Sequence, residues 1–160
     1  MDGTLAKFYE LENCCELYKN PGFFKKLKRE DSLVAALTKI QKTEKIAILS
    51  SVPSKTAIIE KLEWLEEVCP ELSPFFLLFP FLGENKAEYV KKFLRRDITD
   101  KDILLDDYSL NLNEWEKAGG TGIKWYNGLN MRGWNNHNFT GTVLSFEDTP
   151  EYIAETLVSI

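Results

Sequence analysis

The sequence predicts an α/β protein with a three-layer, Rossmann-like parallel sheet. Short apolar runs of strand length alternate along the chain with longer stretches of helical period, and glycine, proline or hydroxyl residues stand at the junctions. Strands and helices that alternate at this spacing are joined by crossover connections, which make the strands parallel and place helices on the faces of the sheet. The length of 160 residues fits one domain of this kind, spanning residues 1–160.

The alternation starts at residues 45–49, a partly β-branched apolar run that ends at two serines and predicts a strand followed by a loop. From Ser54 to the proline at position 70, apolar residues recur at helical spacing and predict an amphipathic helix. The residues expected on its buried side are Ile58, Ile59, Leu62, Leu65 and Val68. Residues 75–79 lie between two prolines and predict a second strand, buried on both faces.

The remaining elements continue the same order along the chain. They are a helix at 86–94, a strand at 103–105, a helix at 110–118, strands at 122–125 and 142–146, and a helix opened by residues 148–150. Two glycines stop the helix at 110–118, and Pro150 stands in the first turn of the helix that it opens. The helix at 86–94 is expected to bury Ala87, Val90, Phe93 and Leu94.

Residues from about 9 to 42 do not follow this order. Apolar residues between positions 33 and 40 have helical spacing, and a break at residues 20–22 precedes Phe23 and Phe24. The chain shows no repeat or low-complexity tract that would mark a separate unit. We therefore expect residues 9–42 to form a small helical cap inserted into the one domain.

Composition and charge exclude several classes of protein. With 20 basic and 25 acidic residues, the formal charge of −5 argues against binding to a nucleic-acid polymer. No apolar run reaches the roughly 20 residues that cross a bilayer, and the start lacks the pattern of a secretory signal, so we expect a cytoplasmic protein with no membrane partner. The three cysteines, two of them adjacent, form neither a disulfide framework nor a spaced zinc site, and His137 alone gives little support to serine–histidine or cysteine–histidine catalysis.

Hydroxyl, ammonium and carboxylate groups stand just after the predicted strands. Ser50 and Ser51 end the first strand, Lys86 follows the second, and Asp106 and Asp107 end the third. The carboxyl ends of parallel strands lie at one edge of a sheet, where ligands of such folds bind, so these groups are expected to meet in one crevice. A phosphate monoester there would bind the serine and the lysine, whereas the carboxylates would repel it unless a cation such as Mg²⁺ lay between them.

The opening residues add a motif to this pattern. Residues 1–6, Met-Asp-Gly-Thr-Leu-Ala, resemble the end of the aspartate-any-aspartate-glycine-threonine-leucine motif of the haloacid dehalogenase superfamily. Ser50, Lys86 and the Asp106–Asp107 pair match the other three motifs of that superfamily in order. Each match alone is weak, but four in order are a specific resemblance.

Three further stretches are similar to one branch of that superfamily, the 5′(3′)-deoxyribonucleotidases. These are residues 1–8, the Phe23–Phe24 pair and residues 48–53. Residues 108–137, rich in Asn, Gly and Trp, are similar only to uncharacterised bacterial and phage relatives of that branch. The aromatic residues expected to anchor this long segment are Trp115, Trp125, Tyr126 and Trp134.

The resemblance implies a Mg²⁺-dependent phosphomonoesterase that works through an aspartyl phosphate. Asp2 would be the general acid and base, protonating the leaving alkoxide and then deprotonating the attacking water. Its main-chain carbonyl would be a ligand of the metal ion. At least one of Asp106 and Asp107 would bind Mg²⁺ directly, and the sequence does not separate the two.

Contacts to the substrate follow from the same resemblance. Ser50, with Ser51 as second choice, would donate a hydrogen bond to the phosphate, and Lys86 would stabilise charge in the transition state. Phe8 matches a position that lines the pocket of such nucleotidases, where an aromatic face stacks on a base, and a core role fits it equally well. The expected partner is a small phosphorylated substrate, a deoxyribonucleoside monophosphate. A phosphatase for another small metabolite phosphate is the alternative.

The nucleophile of this family is the first aspartate of the opening motif, two residues before the one that Asp2 matches. That position precedes Met1, as does most of the strand that carries it, which lies in the middle of the sheet in this superfamily. We therefore expect a reading frame that starts upstream of Met1. A module that binds a phosphorylated ligand without turning it over is the alternative.

Overall fold

The computed structural model describes residues 1–10, 13–130 and 138–160. Within these ranges the protein is an α/β structure whose five strands all pair in parallel. The strands are β1 (Ala47–Leu49), β2 (Phe76–Leu78), β3 (Ile103–Asp106), β4 (Thr121–Tyr126) and β5 (Thr142–Ser145). The α-helices are α1 (Cys14–Leu17), α2 (Asp31–Ile40), α3 (Lys55–Val68), α4 (Lys86–Leu94), α5 (Ser109–Lys117) and α6 (Pro150–Ser159), and Phe8–Glu10 and Phe24–Lys26 are short 3-10 helices.

The strands form two parallel sheets. Strands β1 and β2 make one, with Ile48 opposite Leu77, and β3, β4 and β5 make the other, in that order, with Leu104 opposite Gly122. A helix lies between each pair of consecutive strands from β1 to β4. The predicted α/β class and parallel pairing are therefore confirmed. In the described part of the chain, no helix combines the length and the apolar character needed to cross a membrane.

Helices cover both faces of the strands. On one side Leu78 of β2 and Leu104 of β3 pack with α4 and α5, where Leu112 is fully buried. On the other side lies a larger core to which α2, α3 and α6 contribute, and the partly buried Ile103 and Leu105 of β3 pack against it. Adjacent residues of β3 thus point to opposite faces, as expected for a strand covered on both sides.

The predicted burial of β2 on both faces is wrong. Phe75, just before the strand, is 57% exposed and Leu77 within it is 41% exposed. Among the described residues β2 has one strand partner, β1, so it is an edge strand. An edge strand has fewer neighbours to cover its side chains, and the exposed residues follow from that position.

Helix α3 forms where predicted, and its inward face agrees with the prediction in part, since Leu65 is buried and Ile58 and Val68 pack partly buried against the core. Ile59 is 57% exposed, and the buried positions are Ala57, Glu60, Lys61, Trp64 and Leu65. These positions have helical spacing, but two of them are charged, so a pattern of apolar residues finds only part of the buried face. A similar difference occurs in α4, where Phe93 is 46% exposed.

The segment predicted as a cap, at about 9–42, is tied to α3. The Glu60 carboxylate accepts hydrogen bonds from the backbone N–H groups of Gly22 (2.6 Å) and Phe24 (3.3 Å). The Trp64 indole N–H donates to the Leu27 carbonyl (2.7 Å). Helix α2, at the end of the segment, packs against α6. The extent of the cap as one unit stays a prediction.

A groove of about 380 Å³ lies between β1 and β3. Residues 45–49 line one side of it and residues 103–105 line the other, and apolar side chains of α2 and α6 contribute to the rest. Among the described residues, β1 pairs with β2 alone and β3 pairs with β4 alone. Each of the two strands therefore has a second edge without a strand partner in the described ranges.

Candidate functional site

A pocket of about 400 Å³ lies at the carboxyl ends of β1 and β3. Ser50 directly follows β1, and Asp106 is the last residue of β3, so both strands bring polar groups to the same edge. The pocket is lined by all the residues that the sequence singled out for a site: Asp2, Phe8, Ser50, Ser51, Lys86, Asp106 and Asp107. The structure brings these side chains to one place, and their chemical roles stay predictions.

The first residues fold into a tight turn that places Asp2 at the pocket. The Met1 carbonyl accepts a hydrogen bond from the backbone N–H of Thr4 (3.1 Å). Gly3 has a φ of 73°, in the left-handed region that glycine adopts without steric cost. A Cβ at Gly3 would overlap the Asp107 carboxylate, so glycine is what lets the turn lie against Asp107.

A lysine that the sequence did not single out joins Asp2 to the end of β1. Lys61 of α3 is fully buried, and its ammonium donates to Asp2 Oδ2 (2.5 Å), Ser50 Oγ (2.8 Å) and the Ser51 carbonyl (2.8 Å). Burial lowers the pKa of Lys61, and the Asp2 carboxylate opposes that shift. The other carboxylate oxygen of Asp2, Oδ1, is buried and has no hydrogen-bond partner within the described ranges.

A second ion pair, buried on both sides, joins Lys86 to Asp106. The Lys86 ammonium donates to Asp106 Oδ2 (2.6 Å), and Asp106 also accepts from the Tyr108 backbone N–H (2.8 Å) and from the Asn111 side-chain amide (3.1 Å to each oxygen). Burial acts to raise the pKa of Asp106, but Lys86, the amino terminus and the Tyr108 backbone N–H together outweigh it, and the pKa is lowered. Lys86 is held in place as the first residue of α4, a helix that the Asn85 side chain caps.

Asp107 is in a different electrostatic state from its neighbour. Burial, and then the adjacent Asp106 carboxylate, raise the pKa of Asp107 to about 7. The Tyr9 hydroxyl donates a hydrogen bond to Asp107 Oδ2 (3.2 Å). A cation beside the two carboxylates would relieve their repulsion and keep Asp107 ionised at neutral pH.

Acidic groups outnumber basic ones around the pocket. Its lining carboxylates are Asp2, Glu84, Asp106, Asp107 and Glu114, and Lys86 is the one lysine among the described lining residues. A bare phosphate would be repelled by this charge, whereas a divalent cation would be attracted. The adjacent Asp106 and Asp107 carboxylates, whose repulsion contributes to the raised pKa of Asp107, fit a cation here.

The grouping of acidic side chains bears on which cation would fit. In the ranges that the structure describes, no three His, Cys, Asp or Glu side chains are close enough together to hold a metal ion by themselves. A cation bound in this pocket would therefore need water or backbone oxygens as further ligands. Mg²⁺ binds in this way, since it usually keeps several waters and takes one or two protein carboxylates.

The loop after β4 fixes the backbone on which the acidic residues stand. The Asn127 side chain donates to the Gly3 carbonyl (3.0 Å), and the Asn130 side chain donates to the Asp107 carbonyl (2.8 Å). Lys124, buried in β4, donates to the same Asp107 carbonyl (3.2 Å). These three residues were not predicted, because neither the two asparagines of a polar loop nor a single lysine within a strand carries a distinctive sequence signal.

Phe8 has both of the positions considered for it. Its ring lines the pocket, and it packs edge-on against Tyr9, Tyr18 and Phe23, with centroid distances of 5.1, 6.3 and 5.4 Å. Tyr9, Tyr18 and Phe24 line the pocket as well. One wall of the pocket is thus aromatic, and a planar ring of a ligand could stack or pack on it.

The expected anchoring role of the later aromatic residues fits those that can be placed. Trp115 and Trp125 are buried, one in each core, and the Trp115 indole N–H donates to the Asp102 carbonyl (2.8 Å). Trp134 and His137 lie outside the described residues.

The pocket therefore combines groups that can hold an anion, groups that fit a cation, and a carboxylate with one oxygen free for proton transfer. A scan against protein-family models and a search of curated proteins find no match for this chain. A functional proposal therefore depends on the motifs of the sequence and on the geometry of the side chains in the pocket.

Proposed function

We propose that this protein is a Mg²⁺-dependent phosphomonoesterase of the haloacid dehalogenase type that acts on nucleoside monophosphates. The observation that carries the proposal is the meeting of four separated groups in one pocket at the carboxyl ends of parallel strands. These groups are Asp2, Ser50, Lys86 and the Asp106–Asp107 pair, and their order along the chain is that of the four motifs of the superfamily.

In the proposed reaction Ser50 and Lys86 bind the phosphate. Ser50 is 2% exposed, and its hydroxyl is held at the end of β1 by the hydrogen bond from Lys61. Little bulk water competes for a group buried in this way, so its hydrogen bond to an anion is strong. Lys86 contacts Asp106 in the free protein and would turn part of its charge to the phosphate oxygens. A preorganised cation of this kind stabilises charge that develops in the transition state.

Asp2 is the proposed general acid and base. One of its oxygens is held by Lys61, and the other is buried without a partner in the described ranges. In the first step the nucleophilic aspartate forms a bond to phosphorus as the P–O ester bond breaks, and Asp2, protonated on Oδ1, donates that proton to the leaving alkoxide. In the second step Asp2 takes a proton from the water that hydrolyses the aspartyl phosphate and releases inorganic phosphate.

Mg²⁺ would be held by Asp107 and the main-chain carbonyl of Asp2, and when bound it would neutralise charge on the phosphate. Asp106 already receives donors on both oxygens, from Lys86, Asn111 and the Tyr108 backbone. We therefore assign Asp107 as the direct ligand and Asp106 as the residue that orients Lys86.

The proposed fold has one more parallel strand, in the groove between β1 and β3. Both strands present an edge to that groove, and buried backbone N–H and C=O groups at such an edge need hydrogen-bond partners. Met1 lines both the groove and the pocket, so a strand in the groove would end beside Asp2. In the proposed enzyme this strand carries the aspartate that attacks phosphorus.

The aromatic wall supports a nucleotide as the substrate. Phe8, Tyr9, Tyr18 and Phe24 line the pocket that also holds the acidic and basic groups. A base packed against the partly exposed rings of Phe8, Tyr9 and Tyr18 would place its phosphate among those groups. A phosphatase for a small sugar phosphate would make no use of the wall, and the two substrate classes are separated by dependence on the base.

The proposal is tested by measuring phosphate release with malachite green. The substrates are deoxyribonucleoside monophosphates and base-free sugar phosphates, with and without Mg²⁺. Two forms are compared, the 160-residue chain and a form extended by the residues encoded directly upstream of Met1. We expect Mg²⁺-dependent release from the nucleotides by the extended form.

Each other outcome has a defined meaning. Equal release from base-free phosphates would replace the nucleotide by another metabolite phosphate. Phosphate binding without release by the extended form would favour a binding module over an enzyme. The absence of both phosphate binding and phosphate release would overturn the proposal.

Lys86→Ala tests the phosphate contact within the active form. We expect a loss of roughly 3 kcal/mol of transition-state stabilisation, about 10²-fold in turnover, on the scale of one preorganised donor. Lys92→Ala is the matched control, since Lys92 lies on the same helix, is exposed and does not line the pocket. Equal turnover of the two variants would remove Lys86 from the mechanism.

A further inference from the structure

We infer that Lys61 is a positioning residue that orients the Asp2 carboxylate for proton transfer and the Ser50 hydroxyl for phosphate binding. The inference rests on the proposed function and adds to it a residue outside the four motifs. Lys61 lies in the middle of α3, a helix that carries none of the predicted site residues. It acts on the pocket through Asp2 and Ser50 and is not itself among the lining residues.

The contacts of Lys61 use all the hydrogens of its ammonium group. The three donors are directed to Asp2 Oδ2, Ser50 Oγ and the Ser51 carbonyl, at 2.5, 2.8 and 2.8 Å. The ammonium also lies 4.5 Å from the centre of the Phe24 ring, which closes the remaining side. No hydrogen is left for a substrate, so Lys61 cannot bind phosphate without losing one of these contacts.

For Asp2 the consequence is that its two carboxylate oxygens have different roles. The hydrogen bond from Lys61 fixes Oδ2, and this fixes the plane and direction of the carboxylate. Oδ1 remains buried and unpartnered in the described ranges, and it is the oxygen available to carry the proton. Because the carboxyl group is held in one orientation, a proton on Oδ1 points to one position in the pocket. The proton can then pass directly to a leaving group bound at that position.

For Ser50 the consequence concerns the hydroxyl hydrogen. A serine hydroxyl has one hydrogen and two lone pairs, and Lys61 occupies a lone pair of Ser50 Oγ. The hydrogen then points away from Lys61 and is free to donate to an acceptor in the pocket. Phosphate oxygens are acceptors, so Lys61 sets the hydroxyl in the direction that phosphate binding needs.

A purely structural role accounts poorly for a lysine at this position. Lys61 is fully buried, whereas the Asp2 side chain is 24% exposed. Removing an ammonium group from water costs free energy that an ion pair often fails to recover, so this pair is weak evidence of stabilisation. An apolar side chain of the same length would fill the position in α3 beside Trp64 and Leu65. Lysine at this position is explained by the two groups that it orients.

The test compares Lys61→Met with Lys55→Met, an exposed lysine on the same helix, in the form that releases phosphate. An alkyl phosphate ester and p-nitrophenyl phosphate are the substrates, because an alkoxide needs a proton to leave and p-nitrophenolate does not. The measured quantity is kcat/KM, which reports the step in which the leaving group departs and not the later hydrolysis of the aspartyl phosphate, a step that both substrates share. We expect Lys61→Met to lower kcat/KM about 100-fold on the alkyl ester and less than tenfold on p-nitrophenyl phosphate. Lys55→Met is expected to leave both unchanged. Equal losses on the two substrates, or none, would overturn the role at Asp2.

The role at Ser50 is tested without turnover, by calorimetric binding of inorganic phosphate in the presence of Mg²⁺. Asp2→Asn is compared with the double variant Lys61→Met/Asp2→Asn, which buries no unpaired carboxylate and therefore avoids the main threat to folding. We expect about tenfold weaker binding by the double variant, since the Ser50 hydroxyl is no longer directed. Equal affinities would overturn this role.

The two assays also separate the inference from the proposed function. Lys61-dependent phosphate binding by a protein that releases no phosphate would end the proposed enzyme activity and keep the role of Lys61 at Ser50. Phosphate release with no dependence on Lys61 would support the proposed enzyme activity and overturn the role of Lys61. A wild-type protein that neither binds nor releases phosphate would overturn both.

Discussion

Replacing Gly3 with alanine perturbs the closest approach between the first turn and the acidic pair. Gly3 has a φ of 73°, and a Cβ there would overlap the Asp107 carboxylate and lie within 2.9 Å of the Tyr9 ring. Both neighbours are packed, since Asp107 is 9% exposed and Tyr9 is hydrogen-bonded to it. The added methyl group therefore has to displace the turn, Asp107 or both.

The cost of Gly3→Ala has two parts that can be separated. A non-glycine residue in the left-handed region costs roughly 1–2 kcal/mol. Forcing an extra carbon into a packed site costs a further 1–3 kcal/mol or so. The free energy of unfolding should therefore fall by roughly 2–5 kcal/mol, the sum of the two.

Gly22→Ala is the matched control for this prediction. Gly22 has a φ of 81°, and a Cβ there would meet nothing within 4 Å, so the control contains the backbone cost without the overlap. Urea denaturation of both variants, followed by tryptophan fluorescence, gives the two changes in stability. Equal destabilisation by the two substitutions would refute the argument that Gly3 is required by the approach to Asp107.

Three further predictions concern stability. Glu60→Ala removes the acceptor for two backbone amides of the cap segment and should lower the free energy of unfolding by about 1–3 kcal/mol. Glu63→Ala on the same helix removes an exposed ion pair and should lower it by less than about 1 kcal/mol. Equal urea midpoints for the two variants would contradict this prediction. The hydrogen bond from Arg96 lowers the pKa of Asp102 to about 2, so this carboxylate stabilises the fold above its unfolded pKa of 3.8, and the contribution is lost as the pH falls through 2. Asp102→Asn should therefore cost about 1 kcal/mol at pH 7, after allowance for the half-exposed Arg96, and clearly less at pH 2, where half of this carboxylate is protonated in the folded protein. A loss that does not change with pH would refute the assignment. Trp64→Phe removes the indole donor to a buried carbonyl and should lower the unfolding free energy by about 1–3 kcal/mol, and an unchanged melting temperature would show that this hydrogen bond contributes nothing.

The predicted elements agree with the structure where the signal is local. The helix after Ser54 begins where the Ser54 side chain accepts from the Ala57 backbone N–H (3.2 Å), and the helix at Pro150 begins after a capping threonine. Caps, turns and strand ends depend on a few neighbouring residues, so they can be read from the chain. The burial of Glu60 and Lys61 on the inner face of α3 could not be predicted from neighbouring residues, because the partners of both side chains lie far away in sequence.

The sequence alone determined that this protein is α/β with parallel strands, because short apolar runs of strand length alternate with stretches of helical period. The positions where the predicted strands end also indicated which polar groups reach the pocket. Tertiary structure alone decided how those groups are held. Lys61 reaches Asp2 across 59 residues, Tyr9 reaches Asp107 across 98, and Asn127 reaches Gly3 across 124. A periodic pattern reports which side of an element avoids water, but it does not report which distant group a buried charge or amide finds as its partner.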